Sequence, residues 1–155
     1  MNIHTTNIQN SQSDIIILNN LVQDWVETGW RHTPEAPFDF RERLERFYDW
    51  SSEGTQFFDD FDQKRRVNRN VAQYAAIWDE VIPRMRRLTN ILVGRPSTLV
   101  SSDLAVTSVQ FITSFVTAEG EEGRAHTLSS LVWRRSANGW RIIREHGSGL
   151  PSQDE

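Results

Sequence analysis

Almost everything after Leu88 has the composition of extended chain. Thr89–Val100, Leu104–Ala118, Arg124–Arg135 and Trp140–His146 are rich in Val, Ile, Thr and Phe, and turn-forming stretches separate them at Ser101–Asp103, Glu119–Gly123 and the SANG run. Branched and aromatic side chains suit a pleated surface, and short turns between such runs join neighbouring antiparallel strands. A meander of this kind has two faces and must cover at least one. The first half of the chain therefore has to supply the cover.

That half reads as helices. Ser13 or Asp14 can cap a helix to about Thr28, in which Ile15, Leu18, Leu21, Val22, Trp25 and Val26 recur at three- and four-residue spacing before Gly29. Asp39 can cap a short second helix with Phe40, Leu44, Phe47 and Tyr48 on one face. A short strand over Thr55–Phe58 runs into the acidic string DDFD. A third helix starts near Asn70, carries the stripe Val71, Tyr74, Ala75, Trp78, Val81, Ile82 and Met85, and ends near Pro83. Three helices followed by a long meander make an α+β plan. The expected organisation is a tail over 1–12, one domain over 13–151 and a tail over 152–155, since 155 residues suit a single core.

Composition narrows the chemistry. The absence of cysteine excludes a thiol nucleophile, a Cys-ligated metal site and a disulfide framework. A net charge of −4 speaks against nucleic acid, and the sixteen arginines interleave poorly with aromatic residues. No run is apolar and long enough to cross a bilayer, and the polar first twelve residues contain no signal-peptide core, so the expected address is the cytoplasm. No phosphate loop, nucleophile elbow or metal-ligand spacing is present, so neither a cofactor nor a metal is expected. Six Trp, eight Phe and two Tyr suit a lined cavity or a bulky interface.

The closing phrase LVWRRSANGWRIIREHGSGLP, through Trp133, Gly139, Trp140, Ile142, His146, Ser148 and Pro151, resembles the terminal hairpin of SnoaL-like and ketosteroid-isomerase-like domains of the NTF2-like superfamily. The string FYDWSSEGTQFFDDFD, followed by the helix bearing Tyr74 and Trp78, is similar to that family's entry into its first strand. The resemblance implies an NTF2-like (cystatin-like) cone, with three N-terminal helices packed on a strongly curved antiparallel sheet. It further implies a small, mostly apolar organic ligand in the cone and a homodimer formed through the sheet's outer face. Relatives act as cofactor-independent isomerases, cyclases, dehydratases or hydrolases. The ending His146-x-Ser148-Gly149-x-Pro151 also resembles the association domain of calmodulin-dependent kinase II, which implies the alternative of a non-catalytic ligand-binding or oligomerisation module.

Carried over residue by residue, the isomerase base falls on Asp60, with Asp59 as the near alternative, in a Phe-rich setting that raises a carboxyl pKa. The alternative is that these acids simply solvate a loop beside Lys64, Arg65 and Arg66. His126 or Tyr74 is the expected hydrogen-bonding partner of the base. Trp25, Trp30, Trp78, Phe58, Phe111 and His146 are the expected pocket, and the plain reading of that aromatic stripe is core. Alternation places His146 on the Trp140/Ile142/Arg144 face of the last strand. Two isomerase elements are absent: the first helix carries no Tyr, and Leu104–Ala118 contains no acid.

Overall fold

The computed structural model describes residues 3–152, with side chains from Ser11 onward. Four strands form the meander: β2 (Arg87–Ser101), β3 (Leu104–Val116), β4 (Glu122–Ser136) and β5 (Gly139–Leu150) pair antiparallel in that order. The short strand β1 (Gln56–Asp59) adds to the far edge and runs parallel to β5, giving the order β1-β5-β4-β3-β2. The sheet is thus mixed rather than wholly antiparallel. Gly139, at φ 101°, closes the β4–β5 turn in a conformation that side chains with a Cβ rarely adopt. β2 shifts register between Val93 and Ser97, and the β4–β5 pair shifts at Val132/Trp133. Such bulges bend a sheet, and here they curve it around the helices.

α1 (Ile3–Asp24) continues into a π-helical turn, Trp25–Gly29. Its start lies before the Ser13/Asp14 cap expected from sequence. The stretch 3–12 holds neither Pro nor Gly, so nothing in it breaks a helix. Asp14 instead pairs with Arg135 at 2.6 Å and accepts from Trp140 Nε1 at 3.4 Å, which ties α1 to the β4–β5 hairpin. Met1, Asn2 and the expected C-terminal tail beyond Ser152 lie outside the described residues.

α2 (Phe40–Leu44) has the expected cap: the Asp39 carboxylate accepts from Glu42 N. α3 (Val71–Val81) is capped in the same way by Asn70, which accepts from Gln73 N at 2.9 Å. The core between helices and sheet is dominated by rings, including Trp25, Phe40, Tyr48, Phe57, Tyr74 and Trp133, each essentially inaccessible to solvent. Among the described residues no helix is long and apolar enough to cross a membrane.

Candidate active site

Helices and curved sheet diverge at one end of this core and leave a cavity of about 50 Å³, or about 440 Å³ with its open mouth included. Six of its thirteen lining residues are aromatic. Trp25 and Trp30 come from the chain around the π-turn, Tyr74 and Trp78 from α3, Phe111 from β3 and Phe61 from the loop after β1. Trp25 meets Phe111 edge to face at 6.1 Å, and Tyr74 meets Trp78 in the same way at 5.7 Å. The polar wall consists of Asp59, Asn90, Thr113, Thr127 and Glu145. The indole N–H groups of Trp30 and Trp78 and the Asn90 Oδ1 are buried without a hydrogen-bond partner.

Glu145 is the most buried acid of the site, only 4% exposed. Its Oε1 accepts from the Tyr48 hydroxyl at 2.6 Å, and its Oε2 accepts from the Tyr74 hydroxyl. The Trp25 indole N–H donates in turn to the Tyr48 oxygen at 3.0 Å. Burial pushes the Glu145 carboxyl up to about 8; the two tyrosine hydrogen bonds oppose that shift and the nearby Asp59 charge adds to it. Both tyrosines are held well above their ordinary 10.0, by burial first and by Glu145 second.

Asp59 ends β1, opposite Gly147 of β5. Its Oδ1 accepts from Phe61 N at 2.8 Å. Burial raises this carboxyl to about 6; the Phe61 hydrogen bond opposes the shift, and the charges of Asp60 and Asp62 reinforce it. A carboxyl in that range is matched to proton abstraction near neutral pH.

The structure divides the residues expected from sequence into two groups. Tyr74, Trp25, Trp30, Trp78 and Phe111 face the cavity together. Asp60, His126, Phe58 and His146 do not line it. Asp60 turns along the sheet edge, where both of its oxygens accept from Gly149 N, at 3.1 and 2.9 Å. The cause is the parallel register of β1, which buries Phe57 and turns Asp59 inward, so the expectation of Asp60 at the cavity is corrected to Asp59. Phe58 and His146 oppose each other in that register and pack edge to face at 5.1 Å on the outer side. His126 also lies on the outer face, 3.0 Å from the Gln110 side chain, whereas its neighbour Thr127 points inward. His32 is structural: its Nδ1 accepts from Phe38 N at 2.8 Å, which assigns the proton to Nε2, 3.0 Å from Met85 O.

Glu145 escapes the sequence pattern because of the bulge. Trp133 pairs with Ile142 and Val132 with Arg144, which leaves Ile143 as an extra residue. Beyond it the inward positions fall on Glu145 and Gly147 instead of Arg144 and His146. The adjacent buried pair Ile142–Ile143 is the visible signal of this break in alternation. The buried acid and its two tyrosine partners therefore come from three different elements, β5, α3 and the segment after α2.

No protein-family model matches the chain, and no curated protein matches its sequence. Solved structures do. An NTF2-like superfamily protein from Salmonella enterica shares 22% identity over 70% of this chain and 76% of its own, with a TM-score of 0.62. A protein with a cystatin-like fold from Caulobacter vibrioides shares 17% identity over 94% and 92%, with a TM-score of 0.64. The fold is NTF2-like. A further similarity is to the association domain of CaMKII from C. elegans, at 16% identity over 90% of this chain and 96% of that one, with a TM-score of 0.59. Within the NTF2-like frame, the cavity described above lies between the helices and the concave side of the sheet. Fold alone assigns no activity to it.

Proposed function

We propose that this NTF2-like chain is a cofactor-independent acid/base enzyme of the SnoaL-like kind, acting on a small, mostly apolar organic molecule bound in the cavity. One observation carries the reading: two carboxyls of unequal environment, Asp59 and Glu145, face a single small aromatic chamber. Asp59 is the base, taking a proton from carbon or from a bound hydroxyl. Glu145 and Tyr74 are the hydrogen-bonding partners. A protonated Glu145 donates to one tyrosine oxygen, which frees a tyrosyl hydrogen for an oxygen of the ligand where negative charge develops. Paired acids held apart in pKa by their surroundings are the usual basis of such a division of labour.

The test is exchange of carbon-bound hydrogen for deuterium in small ketones, followed by NMR. Wild-type protein should accelerate exchange, and Asp59→Asn should lose about 10²–10⁴-fold while keeping its circular dichroism. Equal exchange by the two proteins overturns the reading.

A second reading is favoured by the match to 96% of the kinase association domain: a non-catalytic oligomerisation module. Its surface would be the sheet's outer face, where Ile91, Val93, Leu99, Leu104 and Val106 are exposed. An interface on that face is compatible with either reading of the cavity, because a homodimer formed there leaves the concave side free.

A further inference from the structure

We propose that the group recognised in the cavity is a small organic cation, an ammonium or quaternary ammonium held by aromatic faces and by Asp59. The inference rests on the reading of the cavity as the ligand site and goes on to its charge. Among the described residues, the cavity is lined by two acids and by no Lys, Arg or His. That absence is pointed in a chain of sixteen arginines. Elsewhere the acids find them: Asp14 pairs with Arg135, Asp49 with Arg134 and Asp62 with Arg66. Asp59 and Glu145 have no cationic partner among the described ion pairs. Burying carboxyls without one is costly, and a ligand of opposite charge removes the cost. An anionic ligand would be repelled by the Asp59 carboxylate there.

The rings supply the second half of the argument. Trp30 stands at 84° to Trp78 and 82° to Tyr74, and Tyr74 stands at 87° to Trp78. These rings pack edge to face against one another, and together with Trp25, Phe61 and Phe111 they give the cavity an aromatic wall. A cation set against such a wall is attracted by the ring quadrupoles. An uncharged hydrocarbon would fill the same space but would leave both carboxyls without a cationic partner.

Choline and its uncharged carbon isostere, 3,3-dimethyl-1-butanol, differ in charge and hardly in shape. Calorimetric titration of the full chain should show choline bound at least about tenfold more tightly at pH 8. The groups acting on Asp59 are Asp60, Asp62, Glu145 and the tyrosines Tyr48 and Tyr74, none of them cationic. Asp59 takes up its proton near pH 6, so the preference should shrink at pH 5. It should also shrink in Asp59→Asn at pH 8, with the fold checked by circular dichroism in each case. Equal or tighter binding of the isostere overturns the proposal, as does binding of neither compound or a preference that ignores both pH and Asp59→Asn. Deuterium exchange separates this result from the catalytic reading. A preference for the isostere with exchange intact removes only the cation; choline binding without exchange removes only the catalysis.

Discussion

Gly147 stands opposite Asp59 in the β1–β5 pair, and a methyl group on Gly147 would overlap the Asp59 Oδ2 atom. The glycine thus leaves the space in which the carboxylate lies. Gly147→Ala should displace a side-chain end rather than backbone, so the fold survives. Misplacing a reacting group by about 1 Å costs about 10²-fold in rate. The expected outcome is a native circular dichroism spectrum with deuterium exchange reduced by about 10–100-fold.

Asp60→Asn provides the contrast. Among the described residues its carboxylate accepts only from Gly149 N, away from the cavity. Exchange activity should match wild type, and the thermal midpoint should fall by an amount equivalent to about 1 kcal/mol. Loss of exchange in this variant would move the base back to Asp60.

Glu145 makes stability depend on pH. In the folded chain its carboxyl titrates at about 8 against an ordinary 4.5, so the folded state binds more protons between those values. Its contribution is fully present below about 4.5 and is lost as pH rises through about 8. Asp59 acts in the same direction between 3.8 and about 6. Urea midpoints should fall from pH 5 to pH 9. Glu145→Gln, whose amide can still bond both tyrosine hydroxyls, should flatten that decline.

Asp14 has the opposite sign. The hydrogen bond from Arg135 lowers its pKa against the opposing effect of burial, and the Arg135 charge and Trp140 indole lower it further. This stabilisation is present above the ordinary carboxylate range and is lost as pH falls through the lowered value. The Arg135 guanidinium also lies 4.3 Å over the Trp140 ring, and its side chain is 41% exposed. Asp14→Asn should therefore cost only about 1 kcal/mol, a drop of about 2–4 °C in thermal midpoint, with no change in exchange.

Sedimentation tests the outer face. Ile91, Leu99, Leu104 and Val106 are between 43% and 74% exposed on neighbouring strands. A dimer at micromolar concentration is expected, and Leu99→Glu with Val106→Glu should convert it to monomer without altering exchange. A monomeric wild-type chain would count against the interface.

The meander was legible because its turns and its branched residues agree at every strand: β4 and β5 pair across the SANG turn as the pattern requires. The caps at Asp39 and Asn70 were legible for a local reason, since each satisfies an N–H three residues on. The site was legible only in part. The cavity faces of Trp25, Tyr74, Trp78 and Phe111 follow helix and strand periodicity within single elements. Asp59 and Glu145 depend on relations between elements, a parallel register at β1 and a bulge in β5, and only the adjacent Ile142–Ile143 pair marks the second of these in the sequence. The helical start at Ile3 lies in a polar stretch, which gives no amphipathic signal. Asp14, which has the residue type of a cap, is used in a tertiary ion pair.

The extra residue at Ile143 also separates the two ends of the last hairpin. Upstream, the strand tip from Trp133 to Ile142 is paired around the turn; downstream, Glu145 keeps its partner Leu131. A residue gained or lost at the bulge is absorbed locally, as a sharper or a straighter bend. The hairpin tip can therefore drift in length among related chains while the acid in the chamber keeps its side of the sheet.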